Sequence, residues 1–98
     1  METFKELIDS HTPVLVDFYA DWCTPCQTMS SILVNVKKTQ SDAIRIIKLN
    51  VDKNRDLALK YSIQSIPTLM IFKDGKQMWR QSGVISEDAL NKVIEMFK

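Results

Sequence analysis

Val14-Leu15-Val16-Asp17-Phe18-Tyr19-Ala20-Asp21-Trp22-Cys23-Thr24-Pro25-Cys26, residues 14–26, runs from an apolar segment straight into the chain's two cysteines. Residues 14–20 are apolar on both alternating faces, as a central strand covered by helices on each side would be, and one carboxylate, Asp17, interrupts them. From Cys23 to about Lys38 the apolar positions Met29, Ile32, Leu33 and Val36 form one helical stripe opposite Gln27, Ser30, Ser31 and Lys38. The cysteines therefore stand where a strand gives way to a helix. Pro25 suits that place, because the first helical turn needs fewer N–H donors. Two thiols three positions apart in such a turn have Cβ atoms about 5–6 Å apart, near enough for a modest adjustment to reach disulfide geometry.

Toward the N-terminus, Thr3 and Glu6 make a capping-box pattern and Phe4, Leu7 and Ile8 take helical spacing, which predicts a short opening helix with no long strand before it. Pro13 ends that segment. Downstream, residues 39–42 form a polar turn, and residues 44–51 are rich in β-branched side chains and read as a second strand, with Lys48 on the face of Ile44 and Ile46. After a polar break at residues 52–54, Leu57, Ala58 and Tyr61 mark a short third helix that stops before Ile63. The loop Gln64-Ser65-Ile66-Pro67 leads to strands at residues 68–72 and 77–82, and Asp74-Gly75 between them suits a tight antiparallel turn. Ser86 caps a final helix, Glu87 and Asp88 favour its positive end, and Leu90, Val93, Ile94 and Phe97 form its buried stripe. This order predicts an α/β fold with a four-stranded mixed sheet flanked by helices on both faces, in one domain spanning residues 1–98.

Ninety-eight residues, 45% hydrophobic and 26% charged, suffice for one soluble domain with a single core but not for two. Thirteen basic against twelve acidic residues leave a net charge of +1, which gives no basic face for nucleic acid and no support for membrane binding. No window approaches the ~18 consecutive apolar residues of a spanning helix. The start Met-Glu-Thr-Phe-Lys-Glu lacks the basic-then-apolar order of a signal peptide, so a cytoplasmic protein with protein partners is expected. In a reducing cytosol a close cysteine pair is catalytic or metal-binding more often than a structural staple.

Cys23, at a helix N-terminus, has unpaired backbone N–H groups and the helix dipole to stabilise a thiolate, whereas Cys26, one turn in, is expected to be the more shielded. That asymmetry makes Cys23 the attacking thiol and Cys26 the one that resolves the mixed disulfide. The plainer alternative is two ordinary core cysteines. A metal needs about four ligands, one C-x-x-C supplies two, and the only histidine, His11, stands apart without a second cluster, so no metal is expected, a metal shared across a dimer being the weaker alternative. Asp17 in a central strand is desolvated, which raises a carboxyl pKa and suits a proton carrier, with Lys48 on a neighbouring strand as its partner. Equally, Asp17 could cap a backbone group near the sheet edge while Lys48 snorkels to solvent. Pro67 reads as any turn proline; Trp22 and Tyr19 read as core or rim aromatics, Trp22 also as part of a docking surface, and Trp79 as packing.

Residues 16–26 (VDFYADWCTPC), with Ile66-Pro67-Thr68 and Asp74-Gly75 downstream, closely resemble the thioredoxin family over nearly the whole chain. A lone C-x-x-C is weak, but W-C-x-P-C after a strand, Ile-Pro-Thr at a suitable distance and the βαβ order together are highly specific. The resemblance implies a thioredoxin fold whose N-terminal edge strand is reduced or absent, leaving residues 44–51 as an edge that needs protection. It implies a thiol–disulfide oxidoreductase that reduces protein disulfides, with Cys23 as nucleophile, Cys26 as resolving thiol, Asp17 as a proton-transfer group acting on Cys26, and Lys48 nearby. It also implies a cis Pro67 facing the cysteines, an Ile66 backbone that pairs with extended substrate segments, a docking surface around Trp22 and Ile66, and a Gly83 that keeps that surface open. No bound cofactor is implied beyond the redox-active Cys23–Cys26 disulfide. Electrons are expected from NADPH through a flavoprotein, thioredoxin reductase; the other partners are disulfide-containing proteins, and the chain is expected to be a monomer. Two other readings stand beside this one: a disulfide oxidase or isomerase of an exported compartment, its leader removed, and a redox-silent protein-binding module. Against the family pattern, Thr24 replaces a glycine, Tyr19 a tryptophan and Ser31 a helix-kinking proline. The last change predicts a straighter second helix, and Thr24 bears on the redox potential, where ~30 mV is worth about 1.4 kcal/mol.

Overall fold

The computed structural model describes residues 3–98. Its elements are α1 (Phe4–Ile8), β1 (Val14–Tyr19), α2 (Thr24–Gln40), a 3-10 turn at Ser41–Ala43, β2 (Arg45–Asn50), α3 (Arg55–Lys60), β3 (Thr68–Lys73), β4 (Lys76–Ser82) and α4 (Glu87–Phe97). The expected caps are in place. The Thr3 hydroxyl accepts the Glu6 N–H at 3.2 Å, and the Ser86 hydroxyl accepts the Ala89 N–H at 3.2 Å. At Asp74-Gly75 both residues take positive φ, 52° and 79°, the backbone of a type I′ turn whose twist matches that of the strands it joins.

The sheet order is β2-β1-β3-β4, with β1 parallel to β2 and antiparallel to β3, and β3 antiparallel to β4. Alternate residues of the two central strands feed two cores. On one face Leu15, Leu69 and Ile71 pack with Met29, Leu33 and Val36 of α2 and with Leu90 and Ile94 of α4. On the other, Val14, Val16, Phe18, Met70 and Phe72 pack with Ile8 and Phe4 of α1, Leu57 of α3 and Tyr61 at the end of α3. There Tyr61 meets Phe4 and Phe72 edge to face, each with ring centroids 5.7 Å apart.

β2 is the edge that the family resemblance implies: among the described residues no further strand pairs with its outer side. Arg45 and Lys48 project from it exposed, and charges of this kind discourage pairing with another chain. At the opposite edge a register shift between Ile71 and Phe72 leaves Met78 of β4 as an unpaired bulge.

α2 runs without a break through Ser31 and extends two residues past the expected Lys38. Tertiary contacts account for the extension. Gln40 is buried and its amide donates to the Asn91 side chain of α4 at 2.9 Å, while the Lys37 ammonium closes the helix end by donating to the carbonyls of Ser41 and Ile44 at 2.8 and 2.6 Å.

Leu90 has no exposed surface and lies between α2 and the sheet. Leu90→Ala is expected to cost about 2–5 kcal/mol, read as a lowered urea midpoint with an unchanged slope.

Candidate active site

The end of β1 carries the chain directly into the site. The Ala20 carbonyl accepts the Cys23 N–H at 3.2 Å, turning the backbone into α2, and Cys23 becomes the N-cap in extended conformation, φ −94° and ψ 108°. Its Sγ occupies the place of a capping oxygen and accepts the Cys26 N–H at 3.2 Å. The Cα atoms of Cys23 and Cys26 are 5.3 Å apart and the two side chains form a disulfide. When that bond opens, the same N–H and the helix dipole favour negative charge on the Cys23 sulfur.

The expected difference in shielding is not found. Cys23 is 4% exposed and Cys26 3%; with Ala20 they form a buried cluster against which Tyr19, Val51 and Ile66 pack. The asymmetry lies in polar contacts instead: Cys23 Sγ receives the helix N–H and lies 3.8 Å from the Ile66 carbonyl oxygen.

Ile66-Pro67 is cis, as the family resemblance implies, and the loop before β3 lies against the sulfurs. The Pro67 carbonyl accepts the Gly83 N–H at 2.8 Å. Gly83 has φ +88°, and beyond its two chain neighbours no atom lies within 4 Å of where a Cβ would stand, so glycine is favoured there by its backbone rather than by lack of space. Trp22 is 70% exposed beside the pair, and its indole N–H donates to Asp52 Oδ2 at 2.8 Å. Asp52 was legible in the sequence only as part of a polar break; its bond to Trp22 spans 30 residues.

Asp17 does not cap a backbone group. It has no exposed surface, and neither carboxylate oxygen has a hydrogen-bond partner. Burial pushes its pKa from the ordinary 3.8 up to about 6, and the positive charge of Lys48 draws it partly back. Lys48 stands opposite Asp17 in the β1/β2 register, yet its ammonium donates to Ser30 Oγ at 2.6 Å and lies 4.8 Å from the centre of the Tyr19 ring. Ser30, which the sequence places only on the polar side of α2, is thus part of the site's surroundings. A cavity of about 250 Å³ beside Cys26 is lined by Tyr19, Asp21, Gln27, Ser30 and Lys48.

His11 lies away from these groups, 3.5 Å from Asp74. Among the described residues no three His, Cys, Asp or Glu side chains gather where they could hold a metal ion, and no helix is long and apolar enough to cross a membrane.

A family model described as Thioredoxin matches residues 1–96. The chain is 40% identical over 94 residues to Thioredoxin 1 of Synechococcus elongatus, covering 95% of this chain and 88% of the relative. It is 38% identical over 96 residues to the thioredoxin of Synechocystis sp., covering 97% and 90%. Among solved structures it is similar to a mutant thioredoxin from Halobacterium salinarum, with TM-score 0.85, 38% identity and coverage of 99% and 87%. The oxidised form of mitochondrial thioredoxin 3 from Saccharomyces cerevisiae gives TM-score 0.85 at 32% identity, covering 95% and 86%. Fold, helix-capping disulfide and relatives lead to one statement: the chain belongs to the thioredoxin family and is a thiol–disulfide oxidoreductase that reduces protein disulfides, with the Cys23–Cys26 pair as its redox group.

Proposed function

We propose that the chain works as a single thioredoxin domain over residues 1–98, a monomeric cytoplasmic reductant of protein disulfides, recharged from NADPH by the flavoprotein thioredoxin reductase. The observation that carries this reading is the Cys26 N–H held on Cys23 Sγ at 3.2 Å at the start of a 17-residue helix. A sulfur so placed is stabilised as a thiolate, which is both the nucleophile and a good leaving group in disulfide exchange.

The steps balance with the residues present. The Cys23 thiolate attacks one sulfur of the substrate disulfide; that bond breaks, a Cys23–substrate disulfide forms, and the first substrate thiolate leaves to take a proton from water. The Cys26 thiol then gives its proton to the Asp17 carboxylate and attacks Cys23 Sγ. The mixed disulfide breaks, the second substrate thiolate departs, and the Cys23–Cys26 bond forms as two electrons pass to the substrate. A carboxylate with a pKa of about 6 is ionised at neutral pH yet a better base than an exposed aspartate, which fits it to take the proton. Lys48 acts on it through its charge.

Substrate reaches the buried pair across the surface formed by Trp22, Ile66, Pro67 and Gly83. Backbone pairing between Ile66 and an extended segment tolerates many side-chain sequences, while the broad face of Trp22, steadied by Asp52, offers apolar contact.

The direct test supplies the protein with NADPH, a thioredoxin reductase and a disulfide-bonded protein, and follows NADPH oxidation. Continuous turnover is expected, and a folded protein that supports none would overturn the reading. Cys23→Ser is expected to abolish turnover. Cys26→Ser is expected to accumulate covalent substrate adducts that dithiothreitol releases, visible on non-reducing gels.

Asp17 also makes a prediction about stability. Its folded-state pKa lies above the ordinary value, so between about pH 4 and 6 the folded protein binds a proton that the unfolded chain releases, and this contribution to stability is lost as pH rises through that window. The loss amounts to about 3 kcal/mol above pH 6. Asp17→Ala removes it, so the stability of the variant relative to wild type is expected to grow from pH 4 to 7 in urea titrations. A difference that stays constant across this range would show that burial does not raise the pKa of Asp17.

A further inference from the structure

Lys48 and Asp17 are neighbours that do not pair. They stand opposite one another in the parallel β1/β2 register, and a register pair points its side chains to the same face. Among the described residues no ion pair within 4.0 Å joins them. Both Asp17 oxygens lack a hydrogen-bond partner, whereas the Lys48 ammonium has two attachments elsewhere: the Ser30 hydroxyl at 2.6 Å and the face of the Tyr19 ring at 4.8 Å.

The geometry of those attachments is specific. Ser30 lies four residues after Cys26 on α2, hence one turn on along the same helix face. Tyr19 closes β1 two residues after Asp17, on the same side of the strand. Ser30, Tyr19, Lys48 and Cys26 line one cavity of about 250 Å³. At its mouth the ammonium keeps contact with water while gaining a charge-assisted hydrogen bond and a cation–π contact; to reach Asp17 it would have to shed that water. Removal of either attachment tilts this balance toward the unpartnered carboxylate.

We propose that Ser30 and Tyr19 are positioning residues that hold the Lys48 ammonium at the cavity mouth, off the Asp17 carboxylate, and so keep that carboxylate free of an ion pair and available as a proton acceptor. The proposal rests on the reading of Asp17 as the group that takes the Cys26 proton. Among the described residues the titratable side chains that line the cavity are Lys48 from β2, Tyr19 on β1 and Asp21, while Cys26 is in the disulfide and does not titrate. Of the charged residues on the two helices over this face, Lys37 and Lys38 of α2 and Asp88, Lys92 and Glu95 of α4 are exposed and Glu87 is half-buried, and the β3 register partner of Asp17, Leu69, is apolar. Lys48 is the neighbour whose charge draws Asp17 down against the effect of burial, so its distance is the variable that Ser30 and Tyr19 control.

The experiment is a carbon-13 NMR titration of the Asp17 carboxyl in the oxidised protein, with the signal assigned by its loss in Asp17→Asn. Ser30→Ala is expected to move the midpoint down by about one pH unit, as an approaching cation does to a carboxyl group. Ser30→Thr, which keeps the hydroxyl, is expected to restore the wild-type midpoint, and Tyr19→Leu to lower it. Lys48→Met is expected to raise the midpoint and to abolish the effect of Ser30→Ala when the two are combined. An unmoved midpoint in Ser30→Ala, or an equal shift with Lys48 absent, overturns the proposal; an unmoved midpoint in Tyr19→Leu removes Tyr19 from it. In the same variants, single-turnover release of substrate from the mixed disulfide is measured against pH. An acid limb that follows the Asp17 midpoint supports both readings. A midpoint that moves as expected under an unchanged acid limb supports the tether and overturns the proton-acceptor role of Asp17.

Discussion

A strand paired along both edges and covered on both faces keeps water from its side chains, and from Val14 to Phe18 β1 is such a strand. β2 and β3 occupy its edges, α2 and α4 cover one face, and α1 and α3 cover the other. Val14, Leu15, Val16 and Phe18 therefore have no exposed surface, and neither does Asp17. The apolar residues drive the burial, and the carboxylate has to follow them because strand geometry assigns every second side chain to a fixed face. The raised pKa of Asp17 is a consequence of the strand that contains it, and the penalty it carries is the kind of local cost that folds retain at sites of chemistry.

The same strand delivers the cysteines. It ends at Tyr19, and a single carbonyl, that of Ala20, turns the chain so that Cys23 caps α2. Opposite the sulfurs, the loop before β3 is held by contacts from distant parts of the chain. Gly83 donates to the Pro67 carbonyl, and the Arg80 guanidinium reaches from β4 to the carbonyls of Tyr61 and Ser62 at the end of α3. The end of β1, the start of α2, Val51 and Ile66 thus meet at one disulfide, and the bonds that place the turn at Cys23 and the loop before β3 use backbone groups. Such bonds tolerate side-chain change, which is consistent with a shared fold at 32–40% identity to the relatives described.

Much of the fold was legible because its signals are local. The caps at Thr3 and Ser86, the Asp74-Gly75 turn, the apolar stripes and the doubly apolar strand each follow from residues within a few positions of one another. The departures also share a cause. α2 outlasts its apolar stripe because Gln40 finds Asn91, 51 residues away, and because Lys37 folds back onto the chain beyond the helix. Cys23 and Cys26 are buried almost equally in a cluster that Ile66 and Val51 help to cover, residues that no helix-position argument includes. Lys48 was a candidate partner for Asp17, but its bond to Ser30 depends on how α2 lies across β2, and a pattern of alternation contains nothing about that.

By itself the sequence determined the thiol pair at a strand–helix junction, the mixed four-stranded sheet and, through the W-C-x-P-C and Ile-Pro-Thr segments, the family. These follow from periodicity, turn chemistry and spacing, all of which act over short stretches of chain. Tertiary structure alone decided that Cys23 Sγ is the helix cap and lies against the Ile66 carbonyl, that Trp22 is anchored by Asp52, and that the charge beside Asp17 is held by Ser30 and Tyr19. Those relations depend on where whole elements lie against one another, and that placement comes from packing two cores at once rather than from any one segment.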